Sequence, residues 1–252
     1  NMIGNANYTF NALKEELHNL AIDRFLRVDK GELIIEARKQ LASLALKNND
    51  SKQADRWFSE SRLLFPNFEL QLNIAEAQFR TANNRAGEAI PQLTEALSRD
   101  PESIEILYTR ALAFEQLDNI DAAEKDLRRI LELKPNDPDA LNALGYTLAD
   151  RTDRYDEALV LIKAALLQKP ESAAILDSMG WVLLKLGRLE SAESYFTKAW
   201  GKSRDHEIAA HYGELLWLLG RPEDAREIWR IGYESNPESD KIRRTMKRLT
   251  NS

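Results

Sequence analysis

"LNALGYTLA" runs from Leu141 to Ala149 and "LDSMGWVLL" from Leu176 to Leu184, with Leu, a bulky apolar residue, Gly, an aromatic and Leu in the same order 35 residues apart (141 to 176). A glycine beside an aromatic in an apolar run reads either as a ligand-binding turn or as a packing device used twice. The flanking spacing decides. Leu141, Leu144 and Leu148 share a helical face with Gly145, as Leu176, Met179 and Leu183 do with Gly180. Ala42, Ala111 and Gly213 hold the glycine position in other copies. A small residue there lets a second helix come close, with a recurring alanine as the expected contact, so the glycine is a spacer between helices.

The repetition extends well beyond these two stretches. Prolines before a polar residue stand at Pro66, Pro101, Pro135, Pro170 and Pro237, with Arg204 where one is missing, and the successive gaps are 35, 34, 35, 34 and 33. Twelve residues before each marker lies an alanine: Ala54, Ala89, Ala123, Ala158, Ala192 and Ala225. Four residues after each alanine comes a large apolar residue, Phe58, Leu93, Leu127, Ile162, Phe196 or Trp229. A period of this size marks a repeat architecture in which each unit is one helix pair.

These residues resemble the tetratricopeptide repeat, whose pattern is an aromatic or Leu, then Leu-Gly, then Tyr or Leu, then Ala-x3-Phe, then Pro. The resemblance covers roughly residues 31–237 and is strongest from Ile104 onward. It implies an all-α solenoid, a right-handed superhelix of about six helix pairs with an additional N-terminal helix and a C-terminal capping helix. Helices are expected at about 9–28, 32–47, 52–65, 69–82, 88–99, 103–117, 120–133, 138–150, 155–168, 172–186, 189–202, 206–219, 222–235 and 239–249, with no strands. They form one domain over about 9–249 behind an extended lead at 1–8, with repeats at about 31–66, 67–101, 102–135, 136–170, 171–204 and 205–237. The second copy is the least regular: Glu76 fills the small position, and Pro91 makes its second helix start late, near Glu88, or bend. Punctuation agrees elsewhere. Asp137 caps a helix that Pro138 opens, and Gly187 and Gly220 stand where helices end on a left-handed residue. In the last helix Ile242, Met246 and Leu249 face inward, and Lys241, Arg243, Arg244, Lys247 and Arg248 face water.

Several function classes are excluded. The net charge of −6 argues against a nucleic-acid partner. No apolar run approaches the roughly 20 residues of a membrane-spanning helix, and the first residues lack the features of a secretion signal. A chain opening on Asn1 rather than Met reads as a processed product or trimmed fragment, which leaves room for a removed targeting segment or lipid-bearing residue. The absence of cysteine removes thiol nucleophiles, disulfides and thiolate metal sites together. "HEIAAH" spaces His206 and His211 five apart, where a zinc-protease helix spaces them four apart, so no metal site is read here. No nucleophile elbow, phosphate loop or dinucleotide fingerprint is present, and neither catalytic residue nor cofactor is expected.

In the tetratricopeptide family the first helices of the pairs line a concave groove that commonly holds peptides or partner segments. Projection away from the packing stripe selects Asn73, Glu105, Tyr108, Glu115, Asn142, Tyr146, Asp177, Trp181, Glu214 and Trp217 as partner-binding candidates. Carboxylates with four large aromatics favour a basic or neutral segment, although these rings could equally pack against neighbouring repeats. The Lys/Asn clamp of the family's chaperone-tail receptors is absent: the corresponding pairs are Lys39 with Ser43, Asn73 with Ala77, Tyr108 with Leu112, Asn142 with Tyr146, and Asp177 with Trp181.

The run from Ala140 to Trp229 is also similar to the C-terminal half of bacterial outer-membrane tetratricopeptide lipoproteins. The resemblance implies a periplasmic adaptor, associated with the outer membrane through its parent chain, that brings a carboxy-terminal processing protease to cell-wall hydrolases, with no membrane insertion by this part of the chain; the alternative location is cytoplasmic. Two rival readings are a structural assembly factor of a secretion, pilus or exopolysaccharide system, and a regulatory region of a larger enzyme.

Overall fold

The computed structural model describes residues 20, 23–28 and 33–250. The expected lead and most of the helix expected at 9–28 lie outside the described residues. The described residues are helical, with no strand among them. They divide into two compact units, one ending at Asn119 and the other beginning at Ile120.

The first unit contains α1 (Leu33–Lys47), α2 (Ser51–Leu64), a 3-10 turn (Pro66–Phe68), α3 (Glu69–Ala82), α4 (Ala86–Arg99) and α5 (Ile104–Gln116). The second contains α6 (Ile120–Leu133), α7 (Pro138–Arg151), α8 (Tyr155–Gln168), α9 (Ala173–Lys185), α10 (Leu189–Lys202), α11 (His206–Leu218), α12 (Pro222–Ser235) and α13 (Asp240–Thr250). No end differs from its expected position by more than two residues. That largest difference belongs to α4, which begins at Ala86 rather than Glu88 and carries Pro91 in its interior.

Within each unit consecutive helices pack as antiparallel pairs and the pairs stack: α1 on α2 and α3 on α4, then α7 on α8, α9 on α10 and α11 on α12. The reversals follow from local chemistry. Asn49, Asn84, Asp118, Gly187 and Gly220 all adopt φ between 58° and 74° just past a first helix, where small or Asx residues tolerate the left-handed conformation. The next amide then bonds back into the last turn, as Arg188 N–H does to the Leu183 carbonyl at 2.9 Å. Asp137 accepts from the Asp139 and Ala140 amides at 3.1 and 3.0 Å, the expected cap.

Glycine acts as the spacer, and what comes closest to it is the large side chain of the facing helix. A Cβ at Gly145 would stand 2.6 Å from Ile162 Cγ1, at Gly180 2.8 Å from the Phe196 ring, and at Gly213 2.1 Å from Trp229 Nε1. These are the large residues four positions after the recurring alanine, and at Gly145 the alanine takes part as expected, through the Ala158 carbonyl at 3.1 Å. The alanine is buried beside them and clears the way for that side chain.

Candidate functional site

The candidates are split between the units. In the first, Asn73 lies half-buried on α3 and accepts a hydrogen bond from Gln92 Nε2 at 2.9 Å. The same Gln92 nitrogen reaches Glu76 Oε2 at 3.0 Å. Glu76 is 1% exposed yet charged, and its pairing explains how it occupies a position that elsewhere takes glycine: Arg62 and Arg80 both bond its carboxylate, Arg80 at 2.7 Å. A buried carboxylate persists only when charge and hydrogen bonds compensate its lost hydration, and two guanidinium groups and an amide do so here. Above this network opens a cavity of about 550 Å³ whose rim includes Arg62, Asn67, Glu69, Asn73, Gln92 and Arg99. On α5, Glu105 is exposed and Tyr108 and Glu115 are half-buried.

In the second unit the candidates converge on a residue that sequence reasoning set aside. His211 of α11 is 2% exposed. Its Nδ1 lies 2.8 Å from Asp177 Oδ2, its Nε2 lies 3.4 Å from the Tyr146 hydroxyl, and its ring stacks on Trp181 with centroids 4.3 Å apart. One imidazole therefore ties α7, α9 and α11 together. Tyr146 and Trp181 each follow a spacer glycine by one residue, so they share a register on neighbouring helices; the next residue in that register is Glu214, not Trp217. Trp217 follows Gly213 by four, which returns it to the glycine's own face. It accordingly lies against α12, its ring 6.0 Å from Trp229 and 5.5 Å from the Arg226 guanidinium. The expectation that Trp217 lines the same surface as Tyr146 and Trp181 is corrected on that ground.

Asp177, Trp181 and Glu214 are buried, while Asn142 and Tyr146 are half-buried. Four buried side-chain atoms on α7 and α9 have no hydrogen-bond partner: Asn142 Oδ1, Thr147 Oγ1, Asp177 Oδ1 and Trp181 Nε1. Each such atom costs about 1–3 kcal/mol of lost hydration, so a face that collects them is stabilised by whatever supplies the missing donors and acceptors.

The basic face of α13 departs from expectation too. Ile242 is fully buried, as foreseen, and Thr245 joins it. Lys241 does not face open water: its ammonium donates to the Tyr146 hydroxyl, 95 residues away, and lies 5.0 Å from the centre of that ring. Arg248 donates to the buried Glu214 carboxylate. A third cation, Lys185, sits 5.3 Å from the Trp181 ring. Desolvated aromatic faces and carboxylates attract cations, and here the chain supplies its own.

The two histidines of "HEIAAH" go separate ways, His206 Nδ1 to Ser239 Oγ at 3.1 Å and His211 to Asp177. Among the described residues no three His, Asp or Glu side chains gather to hold a metal, and no helix is long and apolar enough to cross a membrane.

Stacked helix pairs with this spacer geometry define a repeat solenoid, and models described as tetratricopeptide repeat match residues 80–145, 142–206 and 178–240. The chain belongs to the tetratricopeptide-repeat family, whose repeats generally serve as scaffolds for protein interaction. It is 39% identical over 247 residues to the TPR repeat-containing protein PA4667 of Pseudomonas aeruginosa, a match that takes in 97% of this chain and 42% of that protein. The chain therefore spans less than half of that relative. Among solved structures, a thermophilic TPR protein of Thermus thermophilus, TTC0263, superposes with a TM-score of 0.64 at 22% identity, covering 72% of this chain and 99% of that one. A tetratricopeptide repeat protein of Parabacteroides merdae gives 0.63 at 16% identity, covering 86% of each. Likeness at these identities speaks for the fold.

Proposed function

We propose that this chain is the partner-binding region of a non-enzymatic protein adaptor, and that the face shared by α7, α9 and α11 holds a segment of the partner. The observation that carries this reading is the set of unpartnered buried atoms on that face, Asn142 Oδ1, Asp177 Oδ1 and Trp181 Nε1, beside the Tyr146, Trp181 and His211 rings. A partner's main chain carries both donors and acceptors, and aromatic rings flanked by polar groups are frequent interface anchors. The sharpest form of the reading is a periplasmic adaptor, tethered to the outer membrane through its parent protein, that brings a carboxy-terminal processing protease to cell-wall hydrolases. The similarity of the 140–229 run to lipoproteins of that kind supports it.

The test is a capture experiment from bacterial periplasmic extract. Trp181→Phe keeps an aromatic ring in place against His211 and removes the indole N–H, and a thermal melt of the variant checks that the smaller ring leaves it folded. A processing protease or wall hydrolase recovered with the wild type and reduced several-fold with Trp181→Phe is the expected result. Equal recovery by both proteins removes the α7–α9–α11 face as the binding surface.

A further inference from the structure

The second unit already holds basic side chains against the surface proposed for the partner. Lys241 and Arg248 stand seven residues apart on α13, two helical turns on one side of the helix. The first covers Tyr146 and the second the buried Glu214 carboxylate. α13 itself is anchored independently. Ile242 is fully buried, its Cδ1 packs over Gly232, and its amide and the imidazole of His206 both engage Ser239 Oγ. The two cationic side chains are thus free to swing while the helix stays docked; the Arg248 side chain is 57% exposed even while paired.

We propose that Lys241 and Arg248 are tethered stand-ins for a partner's basic residues, and that the segment recognised here carries a Lys and an Arg two helical turns apart, which replace them over Tyr146 and on Glu214. This rests on the reading that the α7–α9–α11 face is the binding surface, and it adds the partner's chemistry and a built-in competitor. The tethered cations do not complete the site. Asp177 Oδ1 and Asn142 Oδ1 still lack a donor and Trp181 Nε1 an acceptor. An incoming segment that satisfies them gains what Lys241 and Arg248 cannot supply, which is the differential interaction needed for displacement. The tether keeps the cations at high local concentration, so in their presence a weak basic segment is excluded and a fitting one is admitted.

The probe is a fluorescent synthetic peptide with the sequence of Ser239–Thr250, titrated into the full chain and read by anisotropy. For an occupancy of the face by the tethered side chains of about nine molecules in ten, apparent affinity falls by about tenfold. The Lys241→Gln/Arg248→Gln variant is therefore expected to bind the peptide about tenfold more tightly than the wild type. A peptide with Gln at both those positions should lose that gain. Equal affinity of wild type and variant, or no binding to either, overturns the proposal. Either outcome is distinguishable from failure of the adaptor reading, which is judged by capture with Trp181→Phe in a chain whose Lys241 and Arg248 are intact.

Discussion

The α3–α4 pair of the first unit and the three pairs of the second solve one packing problem by opposite means, while α1 in the first unit keeps a small residue, the buried Ala42, in the same core cluster as Phe58. Where the helices of a pair approach most closely, the second unit places Gly145, Gly180 and Gly213 and fills the gap with Ile162, Phe196 and Trp229. The first unit places Glu76 at that position in α3 and holds it with Arg62, Arg80 and Gln92. Close contact excludes water and leaves a tight interface. A buried charge demands a polar network around it, and that network borders the cavity beside Asn73 and Gln92. The lesson is that the repeat tolerates a charge at its tightest point only when its neighbours change with it. Packing of the α3–α4 pair is therefore sensitive to charge and that of the second unit's pairs to volume.

What the units share is a clamp between successive second helices. Arg85 bonds Asp55 and Glu88, Arg154 bonds Glu124 and Glu157, and Arg221 bonds Glu193 and Asp224. In each case the arginine stands four residues before a recurring alanine and just ahead of a second helix, and the acids stand one before that alanine and one after the alanine of the preceding repeat.

The contrast can be broken at Glu76. Glu76→Ala leaves Arg62 and Arg80 without their carboxylate and is expected to destabilise by about 3 kcal/mol, the lower part of the range for one partner of a buried pair because both arginines retain some contact with water. A urea midpoint unchanged from wild type would show that charge does not hold this pair. Next in size, Gly213→Ala drives a methyl into Trp229 and is expected to cost roughly 1–3 kcal/mol. Its control is Gly87→Ala in α4, where an added Cβ meets nothing within 4 Å and the change is expected to stabilise by up to about 0.5–1 kcal/mol. Thermal melts of the two variants should move in opposite directions.

The smallest effect concerns the shared clamp. Hydrogen bonds from Arg154, then Arg128, hold the Glu124 carboxyl below the usual glutamate value, against the opposing effect of burial. Its contribution to stability is complete above the ordinary value of 4.5 and is lost as pH falls through the lowered one. Glu124→Gln is expected to cost about 1 kcal/mol or less at neutral pH and to flatten the acid limb of the stability curve below pH 4.5. An acid limb as steep as the wild type's would remove Glu124 from the account.

Features that recur were readable from the sequence because each is stated several times over. The alanine, the large residue four later and the cap at Asp137 placed the helices of the repeats to within two residues. Pro91 was half legible: of the two outcomes the local rule allows, a late start near Glu88 or a bend, the late start is overturned, because the helix begins at Ala86 with the proline in its interior. The site was half legible. Tyr146, Asp177 and Trp181 follow the spacer register and meet at His211, with Asn142 one turn before Tyr146 on α7, whereas the offset of four from Gly213 turns Trp217 to α12. The two-residue lead of His211 on Gly213 is the signal that aligns it with Ser178, beside Asp177. Lys241 and Arg248 lie on an element outside the repeat, so no period announces that they reach Tyr146 and Glu214.

The central claim is that partners are held by the second unit rather than at the cavity of the first, and two asparagines separate these directly. The measurement is the affinity of the captured partner for Asn142→Ala and for Asn73→Ala, each against wild type. The account predicts that Asn142→Ala weakens binding several-fold and Asn73→Ala leaves it unchanged. Loss with Asn73→Ala alone would move the binding surface to the Arg62–Gln92 cavity and contradict it.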